Sequence, residues 1–155
     1  MAKDYDPQMH TAEHVLNQSM VRLFGCGRCF SSHLNPGKSK CDYHFPRALS
    51  DEEAASIERV VNETLAKNLS VTEKSVPRSE AEKLVNLGKL PPSVGPDAPI
   101  RIVAVGVYDL CPCIGAHVAN PRHAGTFRPV PHAFQPGATP DPGVLRVRLK
   151  PDNGP

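Results

Sequence analysis

Pro7-Gln8-Met9-His10-Thr11-Ala12-Glu13-His14-Val15-Leu16-Asn17-Gln18-Ser19-Met20-Val21-Arg22-Leu23-Phe24 is the stretch from which the rest of the chain is best read. Met9, Ala12, Leu16, Met20 and Leu23 recur at three- and four-residue intervals, the spacing of a helix with one buried stripe. Gly25 supplies the stop, since a glycine takes the left-handed conformation that closes helices. His10 and His14 stand four apart, so their Cβ atoms would be roughly 5–6 Å apart on the helix surface. They lie well away from the centre of the stripe, which weakens the reading of two core-packed histidines. Two solvent-facing histidines, or two ligands of one metal ion, remain.

Working outward, Cys29 to Leu34 and Cys41 to Phe45 read as two strands joined by the turn-forming Asn35-Pro36-Gly37-Lys38. Ser50-Asp51-Glu52-Glu53 is a capping box, opening a helix to about Asn68 with Ile57, Val60, Val61, Thr64 and Leu65 on its buried face. Leu69 to Val76 reads as a strand, and Ser79 with Glu82 as a second capping box before a short helix ending near Gly88. Ile100 to Val107 is apolar on both faces, which predicts a central strand covered on both sides. Ala124 to Val130 reads as a further strand. The proline- and glycine-rich stretch at about 129–143 reads as a loop. Val144 to Lys150 alternates, with Leu145, Val147 and Leu149 inward and Arg146 and Arg148 outward. The expected fold class is α+β, a mainly antiparallel sheet with a few packed helices, in one domain spanning residues 1–155.

That length suits a single core, and the net charge of +2 neither demands nor excludes a nucleic-acid partner. No apolar run reaches membrane length and the first residues lack a signal-peptide pattern, so a cytoplasmic protein is expected. Five cysteines, an odd number, argue against a full disulfide framework. Cys26, Cys29 and Cys41 read as small apolar residues in or near the core. Few aromatics and no tryptophan make a base-stacking platform a poor reading.

Far along the chain, after the most apolar strand, Cys113-Ile114-Gly115-Ala116-His117 offers a thiolate and a third imidazole. With His10 and His14 they make a donor set suited to tetrahedral zinc. Cys111 is a rival thiolate two residues earlier; the Cys-x3-His spacing favours Cys113. Glu13 falls one residue before the second histidine, so this is not the His-Glu-x-x-His of metalloproteases. Ligands this far apart in sequence converge only after folding, as catalytic ligands do, whereas structural zinc sites mostly use short-range cysteine pairs.

The two motifs in this order resemble the editing domain shared by alanyl- and threonyl-tRNA synthetases, with the closest likeness to the free-standing alanyl-tRNA editing proteins. The resemblance covers roughly residues 8 to 130 and includes the capped helix carrying Ile57-Glu58 and Val61-Asn62-Glu63. Ile114 and Ala116 stand where the alanyl branch usually has glycine and threonine. The resemblance implies zinc held by His10, His14, Cys113 and His117. It also implies a hydroxyl facing the aminoacyl group on the strand after the first helix, Ser31 or Ser32, with Ser31 favoured. His10, Cys113 and Ser31 become the catalytic candidates. The implied activity is hydrolysis, in trans, of mischarged tRNA, seryl or glycyl esters of alanine tRNA. Arg22, Arg28, Lys38, Lys40, Arg122, Arg128, Arg146 and Arg148 are candidates for phosphate contacts. A non-catalytic zinc-held RNA-binding module, and a metal-dependent hydrolase of a small ester or amide, are the alternatives. The sequence does not give an oligomeric state.

Overall fold

The computed structural model describes residues 7–33, 39–67, 69–84, 97–106, 108–112, 127–129, 133–137 and 143–151. Helix α1 (Pro7–Phe24) has the expected bounds. It ends where Gly25 takes φ 68° and donates its N–H to the Val21 carbonyl at 2.9 Å. Strands β1 (Ser31–His33) and β2 (Ser39–His44) pair antiparallel. The turn expected between them lies outside the described residues. Helix α2 (Asp51–Ala66) begins at the expected capping box: the Ser50 hydroxyl accepts the Glu53 N–H at 3.1 Å, and the Glu53 carboxylate accepts the Ser50 N–H at 3.0 Å. Its buried face is Ile57, Val61, Thr64 and Leu65; Val60 is only half-buried.

Strand β3 (Val71–Val76) leads through Pro77 into helix α3 (Arg78–Leu84). Ser79 is not the cap of this helix. The Pro77 carbonyl receives the N–H groups of Glu80 and Ala81, at 3.0 and 2.9 Å, so the helix starts two residues earlier than the capping-box pattern predicts. Strand β4 (Ile100–Val105) turns at Gly106, φ 51°, into β5 (Asp109–Pro112). Strands β6 (Phe127–Pro129), β7 (Ala133–Gln135) and β8 (Val144–Pro151) complete the chain. β7 lies inside the stretch read as a loop. Its three residues fall between Pro131 and Pro136, so none of the three is a proline and each keeps an N–H for pairing with β8.

Two antiparallel sheets result. In the first, β1, β2, β8 and β6 lie side by side, and β7 follows β6 along the same edge of β8. In the second, β4 lies between β3 and β5. This is the α+β class expected, with two sheets rather than one. The main core joins Met9, Ala12, Val15, Leu16 and Met20 of α1, Ile57, Val61 and Leu65 of α2, and Cys41, Tyr43, Leu145, Val147 and Leu149 from one face of the first sheet. Val105 of β4 joins it as well, while Ile100 and Ile102 pack with Val76 and Ala81 in a second, smaller cluster. That division is why β4 is apolar on both faces.

The buried cysteines behave as core residues. Hydrogen bonding with Cys29, then burial, pushes the Cys41 thiol well up, and burial raises the half-buried Cys26. None of the described helices is long and apolar enough to cross a membrane.

Candidate metal centre

Helix α1 is covered on more than one side, by the first sheet, by α2 and by β5. Both histidines are therefore buried, His10 to 5 % and His14 to 2 % exposure. The solvent-facing reading is excluded, and the stripe drawn from apolar residues alone is too narrow. Thr11, Glu13, Asn17 and Ser19 are buried with them. Such burial of polar groups is tolerated only where each finds partners, and the partners define the site.

The two imidazoles meet edge to face with ring centroids 4.9 Å apart. Donor atoms of His10, Glu13 and His14 all lie within 4.8 Å of one another, a cluster able to converge on one cation. Two imidazoles and a carboxylate suit zinc and its first-row neighbours rather than calcium or magnesium. Glu13 is held from behind, its Oε1 accepting from Asn17 Nδ2 at 3.3 Å. Asn17 Oδ1 in turn accepts from the Tyr43 hydroxyl at 2.7 Å and from the Cys29 N–H at 3.2 Å. Burial keeps Tyr43 in its neutral, donating form. One amide thus ties α1 to β2 and to the segment before β1.

His14 is oriented from the other side. Its Nδ1 lies 3.4 Å from Oδ2 of Asp109, the first residue of β5, whose side chain is 1 % exposed. Arg28 grips the same carboxylate with both amino groups, at 2.6 and 3.2 Å. Burial opposes ionisation of Asp109, but His14 and the Arg28 charge outweigh it and hold the acid below the usual carboxylate range. Burial likewise opposes the charge on Arg28, and the Asp109 carboxylate outweighs it. A carboxylate at Nδ1 favours the Nδ1–H tautomer, which leaves the Nε2 lone pair for a metal. Nε2 faces towards Glu13, whose Oε1 is 4.0 Å away.

Asp109 is delivered by a clamp on the turn between β4 and β5. The Tyr108 carbonyl accepts from Gln18 Nε2 and from Arg22 Nη2, both at 2.8 Å, and the Arg22 guanidinium lies 4.3 Å from the Tyr108 ring centroid. Ser19 spends its proton on the Val15 carbonyl, so the Tyr108 hydroxyl donates the 2.7 Å bond they share. Arg22 and Arg28, candidates for phosphate contacts, thus hold the Tyr108–Asp109 segment, Arg22 from the surface and Arg28 half-buried.

Of the expected ligands, His10 and His14 come together, whereas Cys113 and His117 lie outside the described residues, as do Lys38 and Arg122. β5 ends at Pro112, adjacent in sequence to Cys113, and Cys111 lies on the same face of that strand as Asp109, half-buried. Ser31 stands opposite Asp42 in the register and Ser32 opposite Cys41, so Ser32 shares the core-side face that packs on α1. Glu13 and Asp109 are the site residues that sequence reading missed. Glu13 was visible as an acid one residue before a ligand, on a helix read as exposed there. Asp109 had no signal beyond its place at the end of an apolar strand.

No protein-family model matches the chain. Curated relatives do. An alanine–tRNA ligase of Methanothrix thermoacetophila is 32 % identical over 77 % of this chain and 13 % of its own length. The cytoplasmic alanine–tRNA ligase of Dictyostelium discoideum is 29 % identical over 76 % of the chain and 14 % of its own. That of Bacillus pumilus is 29 % identical over 77 % and 13 %. The chain therefore spans about an eighth of the length of these relatives, and the similarity agrees with the resemblance read from the two motifs. Over about three quarters of its length, this chain is related to one segment of the alanine–tRNA ligases.

Proposed function

We propose that the chain is a trans-acting editing hydrolase that cleaves the ester between a wrongly attached amino acid, serine or glycine, and the 3′ end of alanine tRNA. The observation that carries this reading is the buried His10–His14 pair with Asp109 behind it, on a chain related to alanine–tRNA ligases. Pockets discriminate weakly between small side chains, so a second, hydrolytic site is the physical remedy for mischarging.

The donors near His10 and His14 fit zinc, and the proposed ligands are His10, His14, Cys113 and His117, with Cys111 as the rival thiolate. Bound there, zinc would supply Lewis acidity towards the ester carbonyl. The protein's own groups do the rest. Asp109 fixes the tautomer of His14, and Asn17 fixes the Glu13 carboxylate beside both imidazoles. Burial of the cluster limits access of bulk water, which strengthens every polar interaction inside. The side chain meeting the aminoacyl group is proposed to be Ser31 by resemblance, with Ser32, on the face towards α1, as its competitor. The overall change is addition of water across the ester, releasing the free amino acid and the tRNA 3′-hydroxyl. The thiol count and the absence of a membrane-length apolar run support a cytoplasmic protein.

The test is to measure zinc in the purified protein and to assay it on seryl- and glycyl-tRNA for alanine. About one zinc per chain and rapid deacylation are expected, both lost in His10→Ala. Zinc-loaded protein that binds these tRNAs without deacylating them would replace this reading by the non-catalytic module. Turnover of small esters alone would replace it by the third alternative.

A further inference from the structure

The outer face of the first sheet is charged in a way that folding does not explain. Antiparallel partners point their side chains to the same side, so the register lays this face out. On it stand His33 of β1, Lys40, Asp42 and His44 of β2, Arg146, Arg148 and Lys150 of β8, and Arg128 at its position in β6. The core-side face holds Cys41, Tyr43, Leu145, Val147 and Leu149. Four cations of β2 and β8 thus share the outer face with a single carboxylate among the described residues, and Arg128 stands at the matching register position of β6. That carboxylate, Asp42, is taken by Arg146, its direct cross-strand partner, at 2.8 and 3.0 Å. Lys40 is directly opposite Arg148, and Lys150 directly opposite Arg128. Like charges in directly opposed positions destabilise a sheet, yet two such pairs sit side by side here.

The rest of the molecule is not like this. Helix α2 carries Asp51, Glu52, Glu53, Glu58 and Glu63 against Arg59 alone. Within a chain of net charge only +2, this sheet face is therefore cationic and α2 acidic. Arg146, Arg148 and Lys150 repeat every second residue, about 7 Å apart along β8. Lys150 is exposed and Lys40, Arg146 and Arg148 are half-buried. A row of cations at that repeat, flanked by a second row, is the footprint of a polyanion. His33 and His44 are the aromatic rings at these positions, and His44 is already stacked on Phe30 at 4.0 Å between centroids; the cationic row of β8 carries none, so that row suits a backbone of phosphates rather than stacked bases.

We infer that this face, centred on Lys40, Arg148 and Lys150, binds the phosphate backbone of RNA. The inference rests on the tRNA reading above for the choice of RNA among polyanions. It goes beyond that reading by assigning the docking surface to the side of the sheet away from α1 and its histidines. The bound RNA would then hold the protein through sequence-independent contacts while its 3′ end reaches round the sheet edge at β1.

The experiment compares the wild-type chain with Lys40→Gln/Arg148→Gln/Lys150→Gln. Binding of unacylated alanine tRNA is followed by fluorescence anisotropy across a salt series, with thermal melting and zinc content measured alongside. The variant is expected to bind at least ten-fold more weakly at low salt. Its plot of log affinity against log salt should be shallower by about two, because each lost phosphate contact removes about 0.7–0.9 of slope. Its melting temperature should stay close to that of the wild type, so that weaker binding is not loss of folding. Lys40→Arg/Arg148→Lys/Lys150→Arg should bind like wild type, and Arg59→Gln/Lys67→Gln should change nothing. Wild-type affinity and slope in the triple glutamine variant would overturn the docking surface while leaving the editing reading standing. A wild-type chain that binds no tRNA would overturn both, and binding to anionic phospholipid vesicles in its place would assign the face to a membrane surface.

Discussion

The Arg28–Asp109–His14 chain makes the sharpest prediction. Asp109 is 1 % exposed and Arg28 24 %, and the guanidinium meets both carboxylate oxygens. Arg28→Met removes the cation and leaves a buried carboxylate beside His14, whose Nδ1 is 3.4 Å away. Breaking a buried pair from one side costs about 3–5 kcal/mol, and the partial exposure of Arg28 points to the lower end, about 3 kcal/mol. For a chain of this size that is a fall in Tm of roughly 6–12 °C. Asp109→Asn keeps the shape but leaves Arg28, which can still reach water, so about 1–2 kcal/mol is expected. In the double variant no charge is stranded, and it should be more stable than the sum of the two predicts, by about 1–2 kcal/mol. Urea titrations of the four proteins give this coupling. The same carboxylate should govern metal affinity: with Asn at position 109, zinc held by competition with a chromophoric chelator should weaken about 10–100-fold. A coupling below about 0.5 kcal/mol together with unchanged zinc affinity would mean that Asp109 neither needs Arg28 nor orients His14.

Three further outcomes follow from the structure. Tyr43→Phe strips a fully buried hydroxyl that donates to Asn17, so stability should fall by about 1–2 kcal/mol in urea titration, with zinc affinity reduced as Glu13 loosens; an unchanged midpoint would deny the network. Gly106→Ala places a methyl 2.9 Å from Leu69 Cδ2 at a φ of 51°, and should cost about 1–2 kcal/mol and disturb the turn that carries Asp109. The Arg47 side chain, then the Ser50 N–H, holds the exposed Glu53 carboxyl down to about 2. Its folded pKa is depressed, so its contribution to stability is present above the unfolded carboxylate range and is lost as pH falls towards 2. Carboxyl NMR should find a midpoint near 2 that returns to about 4 in Arg47→Gln; a wild-type midpoint near 4 would contradict the geometry.

What the sequence revealed and what it hid divide largely along one physical line: apart from the Ser79 box, which Pro77 pre-empts, local signals survive, and enclosure does not. Gly25, the Ser50–Glu53 box and the alternation of Val144 to Lys150 each act within a few residues, and each appears where it was read. The burial of His10 and His14 depends on what lies against the far side of α1, which no spacing within the helix encodes. A stripe of apolar residues reports only the side that packs on apolar neighbours. The opposite side of α1 is buried against polar ones: Tyr43, which holds Asn17 of the helix, and Asp109, brought by a strand some ninety positions later in the chain. A buried polar helix face therefore reads as a solvent face until its partners are known. The cost of enclosing those groups is met by mutual satisfaction, Asn17 with Glu13, Tyr43 with Asn17, Arg28 with Asp109. Such a network adds little net stability compared with an apolar core of the same shape. Such a network on an enclosed helix fits the proposal that His10 and His14 hold a metal ion.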